Sequence, residues 1–289
     1  MLRAMHWVRL GSSAYWIAFI AAFLAVAVWE SARPLRPLRC AASRRWGNHA
    51  ALYAASIIFS GLILRVSPIF VAFTVQDSHY GLLNRTFIPY WVSFAATLPA
   101  LDLILYANHR LYHSVHFLWR IHEVHHSDRD FDVSTAVRFH PLEVFITQVL
   151  YLGAIALLAP PAAAVFTSQI LVIVENLFVH ANKSLPPAVE RALRWIVITP
   201  DLHRIHHSEE FAEQNLNYGQ LFPWWDRLFR TYTSTPACGP CQLVTGLREL
   251  RTIDTLPFLY MLAAPFRPAP ITKASTSPTP TPPPQSAHS

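Results

Sequence analysis

The stretch that decides the fold runs from Leu142 to Val179 and reads LEVFITQVLYLGAIALLAPPAAAVFTSQILVIVENLFV. It holds two apolar runs, Leu142–Ala159 and Ala162–Val179, separated by Pro160 and Pro161. Because neither proline nitrogen can donate a backbone hydrogen bond, the pair predicts a tight turn between two helices. The stretch therefore predicts a helical hairpin, which returns the chain to the side that it left.

Three more apolar runs precede this hairpin, and a membrane-spanning helix needs about 20 apolar residues. They are Gly11–Trp29, Ala50–Val75 with a kink at Pro68, and Phe87–Ala107, which contains Asp102. The chain of 289 residues is 53% hydrophobic and 14% charged, whereas soluble domains carry about 25% charged residues. We expect an all-α integral membrane protein with about four to five hydrophobic helices. The two hairpin helices are short, so the sequence leaves open whether they cross the whole membrane.

Composition also excludes two other classes of protein. Three cysteines, Cys40, Cys238 and Cys241, cannot build the disulfide framework of a small secreted domain. The net charge of +6 is modest, and no basic stripe interleaved with aromatic residues is present, so we expect no nucleic-acid partner.

Arginine placement predicts the orientation in the membrane. Five arginines lie between the first two apolar runs, namely Arg33, Arg36, Arg39, Arg44 and Arg45. The positive-inside rule places this loop in the cytoplasm, and counting helices places the segments after Ala107 and after Val179 there too. We expect a multi-pass protein, of the inner membrane in a bacterium, although a basic start before an apolar run leaves a cleaved signal open for the first helix.

Histidines concentrate in three short motifs. His109 and His113 form H-x-x-x-H, and H-x-x-H-H occurs twice, at His122, His125 and His126 and at His203, His206 and His207. On a helix, positions i, i+3 and i+4 span only about 100°, so each motif can present its imidazoles to one side. Because all three motifs follow apolar helices on the same predicted membrane face, we expect them to meet at one place.

Such a concentration of imidazoles predicts metal binding. Neutral imidazole is a ligand for iron, zinc, copper and nickel, and one catalytic ion takes about three protein ligands. Eight imidazoles therefore indicate a di-metal site in a cytoplasmic, His-rich helical cap. A non-enzymatic membrane protein that binds or transports metal is the alternative, although transporters place their ligands near the bilayer midplane.

The segment from Asp102 to Tyr232 resembles the fatty acid hydroxylase superfamily, the sterol desaturase-like integral-membrane histidine-box oxygenases. The resemblance depends on DLILYANHRLYHSVHFLWRIHEVHHS, FVHANKSLP, TPDLHRIHHS, NYG and WWDRLFRTY. It implies an O2-dependent monooxygenase with two iron ions that hydroxylates a C–H bond of a sterol, acyl or ether lipid taken from the bilayer. A desaturase of the same superfamily is the alternative reaction.

The resemblance also implies partners and ligands. Because the sequence shows no dinucleotide, haem or ferredoxin motif, we expect a separate electron donor, either cytochrome b5-like or a ferredoxin with its reductase. Nine histidines match the family's metal ligands: His109, His113, His122, His125, His126, His180, His203, His206 and His207. His140 is a possible further ligand, and Ser184 stands where some members carry another histidine.

Three polar residues are candidates for holding those ligands in place. Asp102 precedes His109 by seven residues, about 20° away on a helix, and an acid within a membrane helix is costly. We expect its carboxylate to orient His109, a packing contact with Tyr or Arg being the alternative. Asn176 lies four residues before His180, and Asp201 matches a family position without an assigned role.

These features predict four regions. Residues 1–86 hold N-terminal membrane helices and the arginine-rich loop, and residues 87–240 form the fatty acid hydroxylase-like catalytic domain. Residues 241–264 form a C-terminal extension. Residues 265–289 contain eight prolines with Ser and Thr, a composition typical of a disordered tail.

Overall fold

The computed structural model describes residues 2–76, 78, 80–85, 87–239, 243–250 and 256–267, with the backbone alone for residues 2–8. Within these residues the regular structure is helical, and an isolated bridge between Ser208 and Thr245 is the only β pairing. The all-α prediction is therefore confirmed. Cys241 and residues 268–289 of the expected tail lie outside the described residues.

The apolar runs form six helices. They are α1 Leu2–Ala32, α2 Ala42–Leu64, α3 Pro68–Gln76, α4 Tyr90–Ser114, α6 Pro141–Leu158 and α7 Ala162–Val179, with α5 His116–His126 between α4 and α6. By length and composition they provide five candidate membrane spans among the described residues, α2 and α3 counting as one. This number agrees with the sequence prediction.

The hairpin of α6 and α7 turns where the two prolines predict it. Ala159 adopts a left-handed φ of 45°, and α7 begins directly after Pro161. The Gln76 side chain at the end of α3 accepts a hydrogen bond from Ala162 N at 3.1 Å. Leu83 N donates to Leu158 O at 2.8 Å, so the connection before α4 packs on this turn at the end of the bundle away from the histidines.

The second apolar run is broken rather than kinked. The sequence predicted one helix over Ala50–Val75 bent at Pro68, but α2 ends at Leu64 and α3 begins at Pro68. Arg65 between them has a left-handed φ of 52°, and a proline pushes the residue before it out of helical geometry. These two effects separate the helices.

The bundle packs around α7, whose residues are half buried within the protein, against 17–28% for the other four spans. Leu101, Ile155 and Val165 are fully buried where α4, α6 and α7 meet. Outward-facing positions are also apolar, as at Val28, Leu62 and Leu157, which are 65–76% exposed. Such an apolar exterior is typical of helices in contact with lipid.

Short elements cover one end of the bundle, and we call residues 115–140, 180–239 and 243–250 the cap. Besides α5 it contains the 3₁₀ turns Val133–Val137 and Arg248–Leu250 and the helices α8 Pro187–Leu193, α9 Pro200–His206, α10 Phe211–Gln214 and α11 Trp224–Leu228. The helix α12, Phe258–Ala263, and the 3₁₀ turn Ala264–Phe266 pack beside the cap.

Buried charges attach the cap to the first two membrane helices. Arg45 of α2 binds Asp132 at 2.6 Å and Asp128 at 2.8 Å, and Glu30 of α1 accepts backbone hydrogen bonds from Val133 and Asn182. Arg45 was counted with the arginine-rich cytoplasmic loop, but it lies in α2 and its side chain is 1% exposed. The remaining four arginines carry the charge of that loop.

Candidate metal centre

Four elements bring the nine expected histidines to the cap end of the bundle. His109 and His113 lie in the last two turns of α4, the second motif ends α5, His180 follows α7, and the third motif occupies α9 and the residue after it. Thr199 caps the N-terminus of α9, because its hydroxyl accepts a hydrogen bond from Leu202 N, and Pro200 occupies the first position of the helix. Local capping thus places the third motif.

The imidazoles form two groups. The first group contains five, His109, His113, His122, His126 and His206, and the second contains four, His125, His180, His203 and His207. Within each group one ring nitrogen per residue lies within 4.8 Å of all the others. The nine residues implied by the resemblance are therefore those that the fold brings together.

Each H-x-x-H-H motif serves both groups. Residues i and i+4 of the second motif, His122 and His126, join the first group, whereas His125 joins the second. The third motif is reversed, since His203 and His207 join the second group and His206 joins the first. The two motifs therefore interlock and fix the two groups side by side.

The Nε2 atoms of each group converge. In the first group His109 Nε2 lies 3.2 Å from His122 and 3.0 Å from His206. In the second, His180 Nε2 lies 3.2 Å from His125 and 3.1 Å from His203. Ring nitrogens this close must share a proton or a cation, because two lone pairs facing each other repel. Both groups therefore fit a metal ion.

Burial keeps these imidazoles in the form that binds metal. It lowers the pKa of His122 to about 3 and that of His180 to about 4. The pKa values of five more, His125, His126, His203, His206 and His207, fall well below the ordinary value because of burial first and neighbouring imidazoles second. Neutral imidazole offers a free lone pair to a metal.

Four imidazoles are held through their second nitrogen, Nδ1. Glu143 Oε1 lies 2.6 Å from His122 Nδ1, and three backbone carbonyls accept from the others: Tyr218 O from His109, Leu216 O from His206 and Asn176 O from His180. Donation from Nδ1 leaves Nε2 as the ligand atom and fixes the ring orientation.

Glu143, which contacts a histidine of the first group, was not predicted from the sequence. Glu143 lies in the first turn of α6 and is 4% exposed. The available signal was an acid at the start of an apolar helix, which is costly in a membrane and marks a functional site by default. The same argument singled out Asp102 instead.

A tight turn at Asn217 supplies two of the carbonyls. Asn217 has a left-handed φ of 54°, which turns Leu216 O towards His206 and Tyr218 O towards His109. The Asp226 carboxylate accepts from Tyr218 N and Gly219 N, both at 2.8 Å. The segments NYG and WWDRLFRTY therefore form one support beneath the first group.

Asp102 belongs to this support and does not orient His109 as expected. Its carboxylate accepts from Leu221 N at 2.9 Å, Phe222 N at 3.2 Å and Trp225 Nε1 at 2.9 Å. The expected role is corrected, because these three donors use the carboxylate while His109 Nδ1 bonds to Tyr218 O. Asp102 therefore contacts the segment that follows Tyr218, whose carbonyl bonds to His109.

Asn176 and Asp201 contact the groups less directly than expected. The backbone carbonyl of Asn176 accepts from His180, whereas its side chain donates to Ala136 O at 2.7 Å. Asp201 accepts from Ser184 Oγ and Arg204 Nη1, both at 2.6 Å. Asp201 therefore stabilises the segment between α7 and α9.

His140 lies outside both groups. Its Nδ1 accepts from Leu142 N at 3.1 Å as the N-cap of α6, and its Nε2 lies 3.1 Å from Leu262 O. The expectation of a possible tenth ligand is corrected, since both nitrogens are already used. His116 is exposed on α5.

A cavity of about 250 Å³ leads from the histidines into the bundle. His109, His122 and His180 lie at its cap end, and its walls come from α4, α6 and α7. Tyr15 of α1 and Pro68 of α3 line it too. A molecule from the bilayer interior could therefore reach both groups without crossing the cap.

Comparison with known proteins gives the same segment. The fatty acid hydroxylase family profile matches residues 94–231. Over 187 residues (62% of this chain, 40% of the relative) the chain is 28% identical to alkylglycerol monooxygenase of Homo sapiens. It is 34% identical to ornithine lipid hydroxylase OlsE of Rhizobium tropici over 163 residues, which are 56% of this chain and 46% of the relative. It is 30% identical to methylsterol monooxygenase 1 of Rattus norvegicus over 127 residues, which are 44% of this chain and 41% of the relative.

The chain spans less than half the length of each of these three relatives. No solved structure matches it. This family segment contains all nine histidines of the first and second groups, together with the Asn217 turn and Asp226. Residues 94–231 therefore match the fatty acid hydroxylase family, and the resemblance seen in the sequence is confirmed.

Proposed function

We propose that this protein is a membrane-bound, O2-dependent oxidoreductase that hydroxylates a C–H bond of a lipid at two iron ions. The observation that carries the proposal is the pair of imidazole groups at the end of a cavity within the membrane bundle. Three relatives named as monooxygenases or hydroxylases support it.

The residues present fit two metal ions. The first group offers five nitrogen ligands and the second four, fewer than the six positions of an octahedral ion, so both ions would keep exchangeable positions. Iron supplies the O2 activation that a non-acidic C–H bond requires, because general acid–base groups cannot break such a bond.

The protein itself positions the imidazole ligands and excludes water from them. Glu143 and the carbonyls of residues 216 and 218 hold Nδ1 protons, so the lone pairs of Nε2 point to the ions. Phe139 stacks on His125 with ring centroids 4.4 Å apart, and Phe131 covers His180 and His207. Phe131 also lines a pocket beside Arg36 and Arg204, so it separates the second group from that surface, whereas Phe139 lines the cavity in the bundle.

The substrate arrives through the bilayer and electrons arrive from a separate donor protein, cytochrome b5-like or a ferredoxin with its reductase. We place the cap on the cytoplasmic side, because Arg33, Arg36, Arg39 and Arg44 flank the same end of the bundle. In a cysteine-free background, Leu38→Cys and Phe211→Cys should react with a membrane-impermeant maleimide from the cytoplasm only. Phe87→Cys should react from the opposite side only, and the reverse labelling pattern would refute this orientation.

The test of function is lipid mass spectrometry of cells that do or do not produce the protein, under isotopically labelled O2. A hydroxylase predicts a lipid that gains one labelled oxygen atom, whereas a desaturase predicts loss of two hydrogen atoms without label. His122→Ala should abolish the product and the exposed His116→Ala should not. A chain that binds iron but neither consumes O2 nor changes any lipid would refute the proposal in favour of metal binding or transport.

A further inference from the structure

Asn108 is a buried polar residue in the wall of the cavity, immediately before His109 on α4. The residue is 5% exposed, and its Nδ2 donates to Thr147 Oγ1 of α6 at 2.9 Å. Its Oδ1 is buried, and no donor among the described residues lies within hydrogen-bonding distance of it. An unpaired buried acceptor is costly, so each such atom requires an explanation.

Neighbouring hydroxyls orient this carboxamide. The Tyr112 hydroxyl donates to Glu143 O at 2.9 Å and lies 3.2 Å from Thr147 Oγ1. Since the tyrosine proton is used on the carbonyl, the threonine donates to the tyrosine oxygen and accepts from Asn108 Nδ2. This chain of hydrogen bonds uses Nδ2 of Asn108 and leaves its Oδ1 available to a molecule in the cavity.

Glu143 Oε2, beside His122, is a second unpaired acceptor in the same cavity, and Gln169 of α7 carries a third. It lies 11 residues before His180, which corresponds to about 16 Å along a helix. Asn108 instead adjoins His109 at the metal-facing end. A hydrogen-bond donor close to the reacting carbon would therefore meet Asn108 and not Gln169, while the Glu143 carboxylate is already engaged with His122 Nδ1 through Oε1.

We propose that the cavity selects a lipid with a hydroxyl or amide N–H within a few bonds of the carbon that is oxidised, and that Asn108 Oδ1 accepts this hydrogen bond. The inference rests on the proposed function for the reaction, but the binding preference can be measured without turnover. A plain hydrocarbon would leave Oδ1 unpaired, and a site built for a donor discriminates against analogues that lack it. Asn108 is thus a specificity-determining residue.

The test compares 1-hexadecanol with 1-methoxyhexadecane, which keeps the chain and the oxygen but lacks the donor. Equilibrium binding is measured on the iron-loaded full chain in detergent without O2. We expect the alcohol to bind about tenfold more tightly in the parent and the two ligands to bind within about twofold in Asn108→Leu. Because partition into the micelle is common to all variants, the change in the ratio reports the protein contact.

A second pair of variants keeps the test independent of folding of Asn108→Leu. Thr147→Val removes the acceptor that orients the carboxamide, so the preference should shift towards the ether. Thr167→Val is the matched control, because its hydroxyl donates to Ala163 O of its own helix, and it should keep the parent's preference.

Equal binding of alcohol and ether by the parent, or an unchanged ratio in both Asn108→Leu and Thr147→Val, would overturn the inference. A donor preference without O2-dependent lipid oxidation would instead support the ligand site and refute the proposed function. Oxidation without any donor preference would support the proposed function and refute the ligand site.

Discussion

Glu143 Oε1 lies 2.6 Å from His122 Nδ1, a contact that joins the first turn of membrane helix α6 to the cap helix α5. Both side chains are buried, so the pair is shielded from competing water. His122 Nε2 faces the first group. The contact therefore links the register of a membrane helix to the position of a proposed metal ligand.

Replacement of Glu143 tests this link. Glu143→Gln keeps the size and a carbonyl acceptor but loses the charge that makes the imidazole more basic, so metal affinity or activity should fall about 10- to 100-fold. Glu143→Ala should cost more, because it removes the acceptor as well. Isothermal titration of the metal-depleted protein with Fe²⁺ measures the affinity.

Glu175→Gln is the matched control, since Glu175 is also a buried acid of a membrane helix but belongs to neither group. It should leave iron affinity unchanged. Parent-like iron affinity in both Glu143 variants would show that His122 does not depend on this carboxylate.

Asp102 is expected to act on the loop first and on the metal second. In Asp102→Asn an amide NH2 replaces one carboxylate oxygen, so one of the buried donors Leu221 N, Phe222 N and Trp225 Nε1 loses its acceptor, at a cost of about 1–3 kcal/mol. Hydrogen exchange should quicken in residues 216–225 before iron is lost. Asp201→Asn, whose partners are Ser184 and Arg204, should leave that segment protected; quickened exchange in both variants would remove the specific role of Asp102.

Gly219 tests the support beneath the first group. A Cβ there would lie 2.6 Å from Ile198 Cδ1, 2.8 Å from Phe222 O and 2.9 Å from Asp226 Oδ2. Gly219→Ala should therefore displace the turn, weaken the carbonyl contacts with His109 and His206, and lower iron content. Gly153→Ala on α6 meets nothing within 4 Å and should be neutral or stabilising by up to about 1 kcal/mol. Equal iron content in the two variants would contradict the proposed role of the turn.

The helices and eight of the nine histidines were predictable from local spacing, whereas His180 was predicted only through the family resemblance. Apolar runs identify membrane helices because only a helix satisfies its own backbone in lipid, and the positions i, i+3 and i+4 share a helix side. The division of each motif between two groups was not predictable, since it depends on how α5 and α9 cross. His206 and His207 are neighbours in sequence, yet they face different groups.

The residues that hold the histidines were predicted less well. Asp102 was selected for the cost of an acid in a membrane, but its partners lie about 120 residues later in the chain. Spacing along α4 carries no information on such a contact. Glu143 and the Asn217 turn were missed for the same reason, because their roles arise only when α6 and residues 216–219 pack against α4 and α5.

Acid should destabilise the metal-depleted protein. The folded pKa values of His122 and His180, about 3 and about 4, lie below the ordinary value of 6.5, so the unfolded chain binds more protons between these limits. The stabilisation is complete above pH 6.5 and is lost as the pH falls towards 4, by about 1.4 kcal/mol per pH unit for each group. Thermal unfolding from pH 7.5 to 5 should show a falling midpoint, less steep in a His122→Asn/His180→Asn variant; a flat profile would contradict the buried, neutral state of these rings.

Binding of two ions in two separate imidazole groups is tested most directly by iron stoichiometry together with X-ray absorption spectroscopy. The parent should hold about two irons per chain with nitrogen-dominated coordination. His206→Ala and His207→Ala should each lose iron mainly from one group, leaving about one tightly bound iron, with different spectra for the iron that remains. One iron per chain in the parent, coordination dominated by sulfur, or identical residual sites in the two variants would contradict the account.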